Sequence, residues 1–250
     1  MKENDFIIKF GILKKYVGRN KKMVVIPKGI YEIGKSAFYG NSEIEQIIIP
    51  PHVSKINSCA FKNCANLSIV YMNSPVLTIG KNAFAYCPSL KVVDFGLNNI
   101  YEIGEFAFRN CPKLCGIIFL GNATRIMGNA FWACKQNEGK ITENGTMRAF
   151  KVFKHDWTCR GFQFEVGKTY HIDEPIKTGR SGFHVCSSPL SLFDHYCGTI
   201  ANLKFAEVEI SGTIDNTAKD DRIAASDIAI IRELSLNDLI NIFNQNGNEI

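Results

Sequence analysis

The 250-residue chain has no apolar run approaching the roughly 18 residues that a membrane-spanning helix requires. A helical membrane span is therefore excluded. Its start lacks the apolar core of a secretory leader, because Phe6-Ile7-Ile8 is interrupted at once by Lys9. A cytoplasmic protein is the expectation. No G-x-G-x-x-G turn follows a strand pattern, which removes the dinucleotide folds that need one. Nine cysteines would leave one thiol over in a disulfide framework, so reduced thiols in a reducing compartment are expected. Charge of one sign is also scarce outside one region. Residues 1–30 hold eight lysines and arginines against two acids, while the chain as a whole carries only +5. One end is a basic cap, including Lys14, Lys15, Arg19, Lys21 and Lys22, and the body is nearly neutral.

What the sequence does have is a repeat. The unit Ile-x-x-x-Ala-Phe occurs five times, at Ile33–Phe38, Ile56–Phe61, Ile79–Phe84, Ile103–Phe108 and Ile126–Phe131. The phenylalanines lie 23, 23, 24 and 23 residues apart, a leucine-rich-repeat period. Three residues after each of the last four phenylalanines stands a cysteine: Cys64, Cys87, Cys111 and Cys134. Between the units runs a strand pattern, Ile44-x-x-Ile47-x-Ile49, and its counterparts from Leu67, Leu90 and Leu114. Period-two alternation points Ile47, Val70, Val93 and Ile117 inward. No single repeat can bury its own apolar face, so stacking must supply the core. Gly34, Gly80 and Gly104 mark sharp turns after the isoleucine. Cysteines arriving one per repeat, rather than in close C-x-x-C pairs, read as packing residues and not as zinc ligands.

These motifs resemble the BspA-like leucine-rich repeat of bacteria. The entry segment fits the same picture, with Phe6, Gly11 to Tyr16 and Val24-Val25-Ile26-Pro27 resembling the N-terminal cap of such arrays. The resemblance covers about residues 5–134. It implies a β-rich solenoid of five repeats and a role as a binding scaffold or bacterial surface adhesin. Alternation then places Gln46, Ile48, Ile69, Tyr71, Val92, Asp94, Gly116 and Ile118 on the concave face, a mostly apolar surface of the kind that marks contact sites. Tyr71 is the expected anchor. About five strands at about 4.8 Å spacing make a sheet about 20 Å wide. Such a sheet offers a few hundred Å², less than the roughly 800 Å² per partner of a standard interface. Other surfaces of the chain must add area.

Residues 135–146 are polar and glycine-bearing and read as a linker. From Met147 the pattern changes to alternating strands at 148–153, 162–166, 182–186, 205–214 and 223–234. Ser235 is the expected N-cap of a final helix with the apolar stripe Leu236, Leu239, Ile240 and Phe243. A small α+β domain over 147–250 follows. Cys159 to Tyr170, Gly182 to Cys186 and Phe205 to Val208 resemble an uncharacterised domain of bacterial and phage proteins.

Two chemistries compete there with simple binding. His184-x-Cys186 and His195-x-Cys197, with Cys159, contain zinc-ligand residue types, but their spacing fits no standard site. Gly179 to Val185, Ser191 to Cys197 and Ala206-Glu207-Val208 are similar to the central stretch of poly(ADP-ribose) polymerases. That similarity implies an alternative, an NAD-dependent ADP-ribosyltransferase. Arg160 would hold the dinucleotide, His184 would stack on nicotinamide, and Asp227 would serve as the carboxylate. The principal expectation remains a non-enzymatic protein-binding protein without metal, cofactor, small-molecule substrate or membrane. Its phage-associated domain suggests an inhibitor of a host defence complex. Nucleic acid is a second partner class, reached through the basic cap.

Overall fold

The computed structural model describes residues 5–72, 76–96, 99–114, 116–119, 123–134, 141–195, 198–199, 202–218 and 221–246. Contacts divide the chain into two compact units, Met1–Lys135 with Asn244–Ile250, and Gln136–Phe243. Of the expected linker, residues 135–140 lie outside the described set, and 141–146 form a turn.

The first unit is a β-solenoid with two rows of strands. A hairpin of β1 (Phe6–Lys9) and β2 (Ile12–Tyr16) opens it. The remaining strands alternate between two sheets: β3 (Met23–Val25), β4 (Glu32–Ile33), β5 (Gln46–Ile49), β6 (Lys55–Ile56), β7 (Ile69–Met72), β8 (Val76–Ile79), β9 (Val92–Gly96), β10 (Asn99–Ile103), β11 (Gly116–Phe119) and β12 (Ala123–Ile126). The odd members β3, β5, β7, β9 and β11 form one parallel sheet. The even members form the other, and β2 joins it beside β4 in parallel. The second sheet was not expected from the sequence. Each motif isoleucine ends one of its strands, and Ile33, Ile56, Ile79, Ile103 and Ile126 are all buried. Four of those strands have at most four residues, and two have only two. Runs that short show no alternation to read.

The Ala-Phe turns form a third wall with its own ladder. The amides of Phe38, Phe61, Phe84 and Phe108 each donate to the alanine carbonyl of the next coil at 2.7 Å. The turn needs left-handed backbone at two places per coil. These are Ser36, Cys59, Asn82, Phe106 and Asn129 before the alanine, and Gly40, Asn63, Tyr86, Asn110 and Ala133 after the phenylalanine. Asparagine recurs because it tolerates this region. Gly80 and Gly104 serve a different purpose from the expected sharp turn. A Cβ on Gly104 would lie 2.8 Å from the Gly80 and Ile79 backbone, so these glycines permit close stacking of coils.

Inside the turn wall the rings stack in a continuous spine. Tyr16, Phe38, Phe61, Phe84, Phe108 and Phe131 have successive centroid separations of 5.1, 4.8, 5.0, 5.3 and 5.4 Å. Tyr16 from the entry hairpin begins this stack, so the hairpin acts as the cap. The cysteines run alongside. The Cys64, Cys87, Cys111 and Cys134 thiols donate to the carbonyls of Phe38, Phe61, Phe84 and Phe108 at 3.1–3.2 Å. Burial pushes the Cys111 thiol up, so it stays protonated and can donate. The thiols are packing groups that also satisfy a buried carbonyl.

The second unit is mostly strand. Its elements are β13 (Met147–Lys154), β14 (Thr158–Cys159), β15 (Phe162–Gln163), β16 (Thr169–His171), β17 (Phe183–Cys186), α1 (Leu192–His195), β18 (Gly198–Thr199), β19 (Leu203–Asp215), β20 (Arg222–Leu234) and α2 (Leu236–Asn246). Antiparallel pairings β13–β19, β19–β20, β20–β17 and β17–β13 close a ring. Its core includes Met147, Phe153, Phe164, Phe183, Val185, Val208, Ile210 and Ile228. The strand expected over 162–166 shrinks to Phe162–Gln163, the return arm of a short hairpin. Phe164 then leaves the strand to fill the core, and its ring lies 5.1 Å from that of Phe153. Ser235 caps α2 as expected. Its hydroxyl accepts the Asp238 amide at 3.1 Å while Asp238 accepts the Ser235 amide at 2.8 Å, a reciprocal box. Leu239 and Ile242 supply the buried stripe, and the side chains of Ile240 and Phe243 lie outside the described residues.

Candidate functional site

The odd-numbered sheet of the solenoid presents an open face. On β5, Ile47 and Ile49 are buried while Gln46 and Ile48 are half-buried, as alternation requires. The parallel register sets the outward residues in two rows across the sheet. One row is Met23, Gln46, Ile69 and Val92, and the other is Val25, Ile48, Tyr71 and Asp94. Ile118 continues the second row by backbone pairing with Asp94. The side chains of Ile118 and Gly116 lie outside the described residues. Tyr71 is 41% exposed and Met23 is 54% exposed.

The even-numbered sheet gives an internal comparison. Its outward row is Glu32, Lys55, Thr78, Glu102 and Arg125, in register, with Arg125 and Glu102 paired at 3.2 Å. Both sheets are built of short strands in the same coils, yet the row of one is mostly charged, with Ile12 and the exposed Tyr101 beside it, while the other has Met23, Val25, Ile48, Ile69, Tyr71 and Val92 with only Gln46 and Asp94 polar among its described outward residues. Strand propensity alone does not account for that asymmetry, because it applies equally to both.

The basic cap is less cationic than the sequence count implied. Lys14, Lys15, Arg19 and Lys21 are exposed. Lys22 is paired with Glu45 of the next coil at 2.8 Å, and that carboxylate raises its pKa. The turn wall carries a feature that sequence reading missed. Arg109 lies over the Phe106 and Tyr86 rings at 5.1 and 5.7 Å, and Lys62 lies over Tyr86 at 5.5 Å. Only the coil period, applied to residues flanking each Ala-Phe, could have aligned them. Gly29 to Ser36 also match the phosphate-loop consensus G-x-x-x-x-G-K-[ST]. Here Ile30 and Ile33 are buried, Glu32–Ile33 is strand, and a turn rather than a helix follows. No phosphate cradle forms.

In the second unit, the structure brings two of the three transferase candidates together. Arg160 and His184 line the same two adjoining cavities, and Asp227 lines neither. Asp227 is engaged elsewhere. It accepts from Ser226 Oγ at 2.6 Å and meets His171 Nδ1 at 2.7 Å. Those bonds hold its carboxyl below the usual carboxylate range. His184 Nε2 accepts the Gly179 amide at 2.8 Å, so this nitrogen already has a donor and is not a free metal ligand. Among the described residues no three His, Cys, Asp or Glu side chains converge as a metal site. Cys197 lies outside the described residues, and so does the side chain of His195.

Residues 15–138 match the model of the BspA type leucine rich repeat region, in six copies. Residues 147–242 match a domain of unknown function (DUF7666). Among solved structures, a leucine rich repeat protein of T. pallidum is 23% identical, covers 47% of this chain and 70% of its own, and has a TM-score of 0.36. One from Bacteroides ovatus is 32% identical over 45% of this chain and 35% of its own, with a TM-score of 0.35. A leucine rich cell surface protein from Faecalibacterium prausnitzii is 19% identical over 59% of this chain and 57% of its own, with a TM-score of 0.36. The chain thus spans well under two thirds of two of these three. No curated protein matches it.

Proposed function

A chain whose residues 15–138 are a BspA-type leucine-rich-repeat region, followed at 147–242 by a domain of unknown function, is, we propose, a scaffold that binds a protein partner through the open face of its odd-numbered sheet. A repeat region of this type indicates a protein-interaction or adhesin-like role. The observation that carries the finer reading is the contrast between the two outward sheet faces. A solvated sheet face wears charges, as Glu32, Lys55, Glu102 and Arg125 do. The face with half-buried Ile48, Ile69 and Val92 around exposed Tyr71 leaves part of a contiguous apolar surface open, and such surface on a folded protein marks a contact site. Tyr71 combines a large apolar ring with a hydroxyl and suits the centre of the contact. Ile48 and Asp94 flank it across the sheet, and Ile69 lies two residues before it on the same strand. Met23 and Val25, on the edge strand β3, form the rim on that side.

The parallel register keeps side chains of neighbouring coils about 4.8 Å apart, so the face is rigid before any partner arrives. Little ordering cost then opposes binding. The test is capture of the partner by the full-length chain, compared with Tyr71→Ala and Ile48→Asp. Both changes point outward and leave Ile47, Ile49 and Val70 in the core. Unchanged far-UV circular dichroism with at least tenfold weaker capture is the expected result. Equal capture by both variants and the parent would refute this face as the binding surface.

A further inference from the structure

The second unit contains a buried amine that no carboxylate pairs among the described residues, its Nζ lying over the Phe153 and Phe164 rings at 5.7 and 5.8 Å. Lys151 lies on β13, in the wall of the strand ring, and is only 4% exposed. Its Nζ donates to the His184 carbonyl at 2.6 Å, with the Cys159 thiol beside it. Among the described salt bridges it has no carboxylate. An ammonium without a counter-charge is disfavoured in such surroundings, and burial lowers its pKa, so the amine either sheds its proton or finds an anion.

The space around it is arranged for the second outcome. Two adjoining cavities, of about 440 and 410 Å³, share Lys151, Cys159, Arg160 and His184 in their walls. The larger one also has Lys154 in its lining, and no aspartate or glutamate stands among the described residues that line it. The rest of that lining is mostly apolar, with Phe150, Val185, Leu192 and Leu203. Among the described lining residues Lys151, Lys154 and Arg160 make the charge one-sided, and the cavity is of the size that takes a small ligand. The cations also act on His184, whose pKa is lowered by burial first and then by Arg160 and Lys151.

Arg160 supplies a second, independent observation. It sits with Gly161 at the tip of the β14–β15 hairpin, at φ 50° and 81° respectively. This is the turn geometry that favours Asn or Gly at its first position, and an arginine there is held in an unfavourable backbone region. The turn places Arg160 in the lining of both cavities, next to the Lys151 amine. Among the described residues Glu174 is the acid of the smaller cavity, which Lys151 and Arg160 also line, and it is not in the lining of the larger one.

We propose that the second unit binds a small amphiphilic anion in the larger cavity. A carboxylate or phosphate head would sit between Lys151 and Arg160, and an apolar body would lie against Phe150, Leu192 and Leu203. The head accepts hydrogen bonds from the ammonium and the guanidinium. It supplies the negative charge that the described lining residues lack, and charge-assisted bonds in a site shielded from water are the strong ones. The apolar walls select molecules with a tail over free inorganic anions. This site is separate from the sheet face and stands whether or not that face binds protein.

Calorimetric titration of the full-length chain tests it with four probes: octanoate, octyl phosphate, octanol and inorganic phosphate. At least one of the two amphiphilic anions should bind at least tenfold tighter than octanol and than inorganic phosphate. Which of the two binds tighter identifies the head group. Lys151→Met keeps the volume and burial of the side chain while removing the amine, and Arg160→Asn relaxes the turn while removing the guanidinium. Each should abolish the preference for the anion over octanol, with the melting temperature held or raised. The proposal is overturned if octanol or inorganic phosphate binds as tightly as both amphiphilic anions. It is equally overturned if no probe binds, or if both variants retain the anion preference.

Discussion

Replacing Phe84 by alanine should cost the solenoid about 5 kcal/mol, the upper end of the range of about 3–5 kcal/mol for truncating a core phenylalanine. Phe84 is fully buried and stacks on both sides, on Phe61 at 5.0 Å and 3° and on Phe108 at 5.3 Å and 1°. Each stacked contact adds about 0.5–1.5 kcal/mol beyond the burial of area. The alanine variant loses both contacts and leaves a void that flat neighbouring rings, fixed by the 2.7 Å ladder of the turn wall, cannot collapse to fill. Phe131 provides the internal comparison. It lies in the last of the five Ala-Phe coils, stacks on Phe108 at 5.4 Å and is 4% exposed where Phe84 is fully buried, so Phe131→Ala should lose about 3 kcal/mol. Urea denaturation followed by far-UV circular dichroism measures both. Nearest-neighbour coupling between coils requires the central substitution to cost more than the terminal one by about 1–2 kcal/mol. Equal losses at the two positions would refute the view that the spine acts as a coupled stack rather than as independent rings.

Two further outcomes follow from local geometry. Phe10 is 88% exposed and sits at φ 52° before Gly11 at φ 69° in the β1–β2 turn, so Phe10→Asn should stabilise the chain by about 1 kcal/mol, read as a raised unfolding midpoint. A lowered midpoint would show that the exposed ring contributes more than its backbone costs. His171 has its pKa raised by hydrogen bonds to Asp227 and then Asp173, so the folded state favours its protonated form. That contribution is fully present below the ordinary histidine value and is lost as pH rises through the raised one. In an NMR titration the His171 midpoint should fall in Asp227→Asn, and an unchanged midpoint would contradict the assignment.

The repeat was legible in the sequence because stacking identical coils places one residue type at one level again and again. Ile33, Phe38, Cys64 and their successors therefore announced the solenoid, its inward residues and the outward positions Gln46, Ile48, Ile69, Tyr71, Val92 and Asp94. The charged contrast face was not legible. Its strands, such as Glu32–Ile33 and Lys55–Ile56, are two residues long, and only the parallel register aligns Glu32, Lys55, Thr78, Glu102 and Arg125. Pairing of Lys22 with Glu45 likewise depends on the neighbouring coil. In the second unit, the sequence marked Arg160, His184 and Asp227 as one group by motif similarity. The ring closure kept the first two together, added Lys151 from β13, and gave Asp227 to His171. Local pattern sets which residues face inward in each element. Which charges are left without partners is decided only when strands distant in the chain close around the same space.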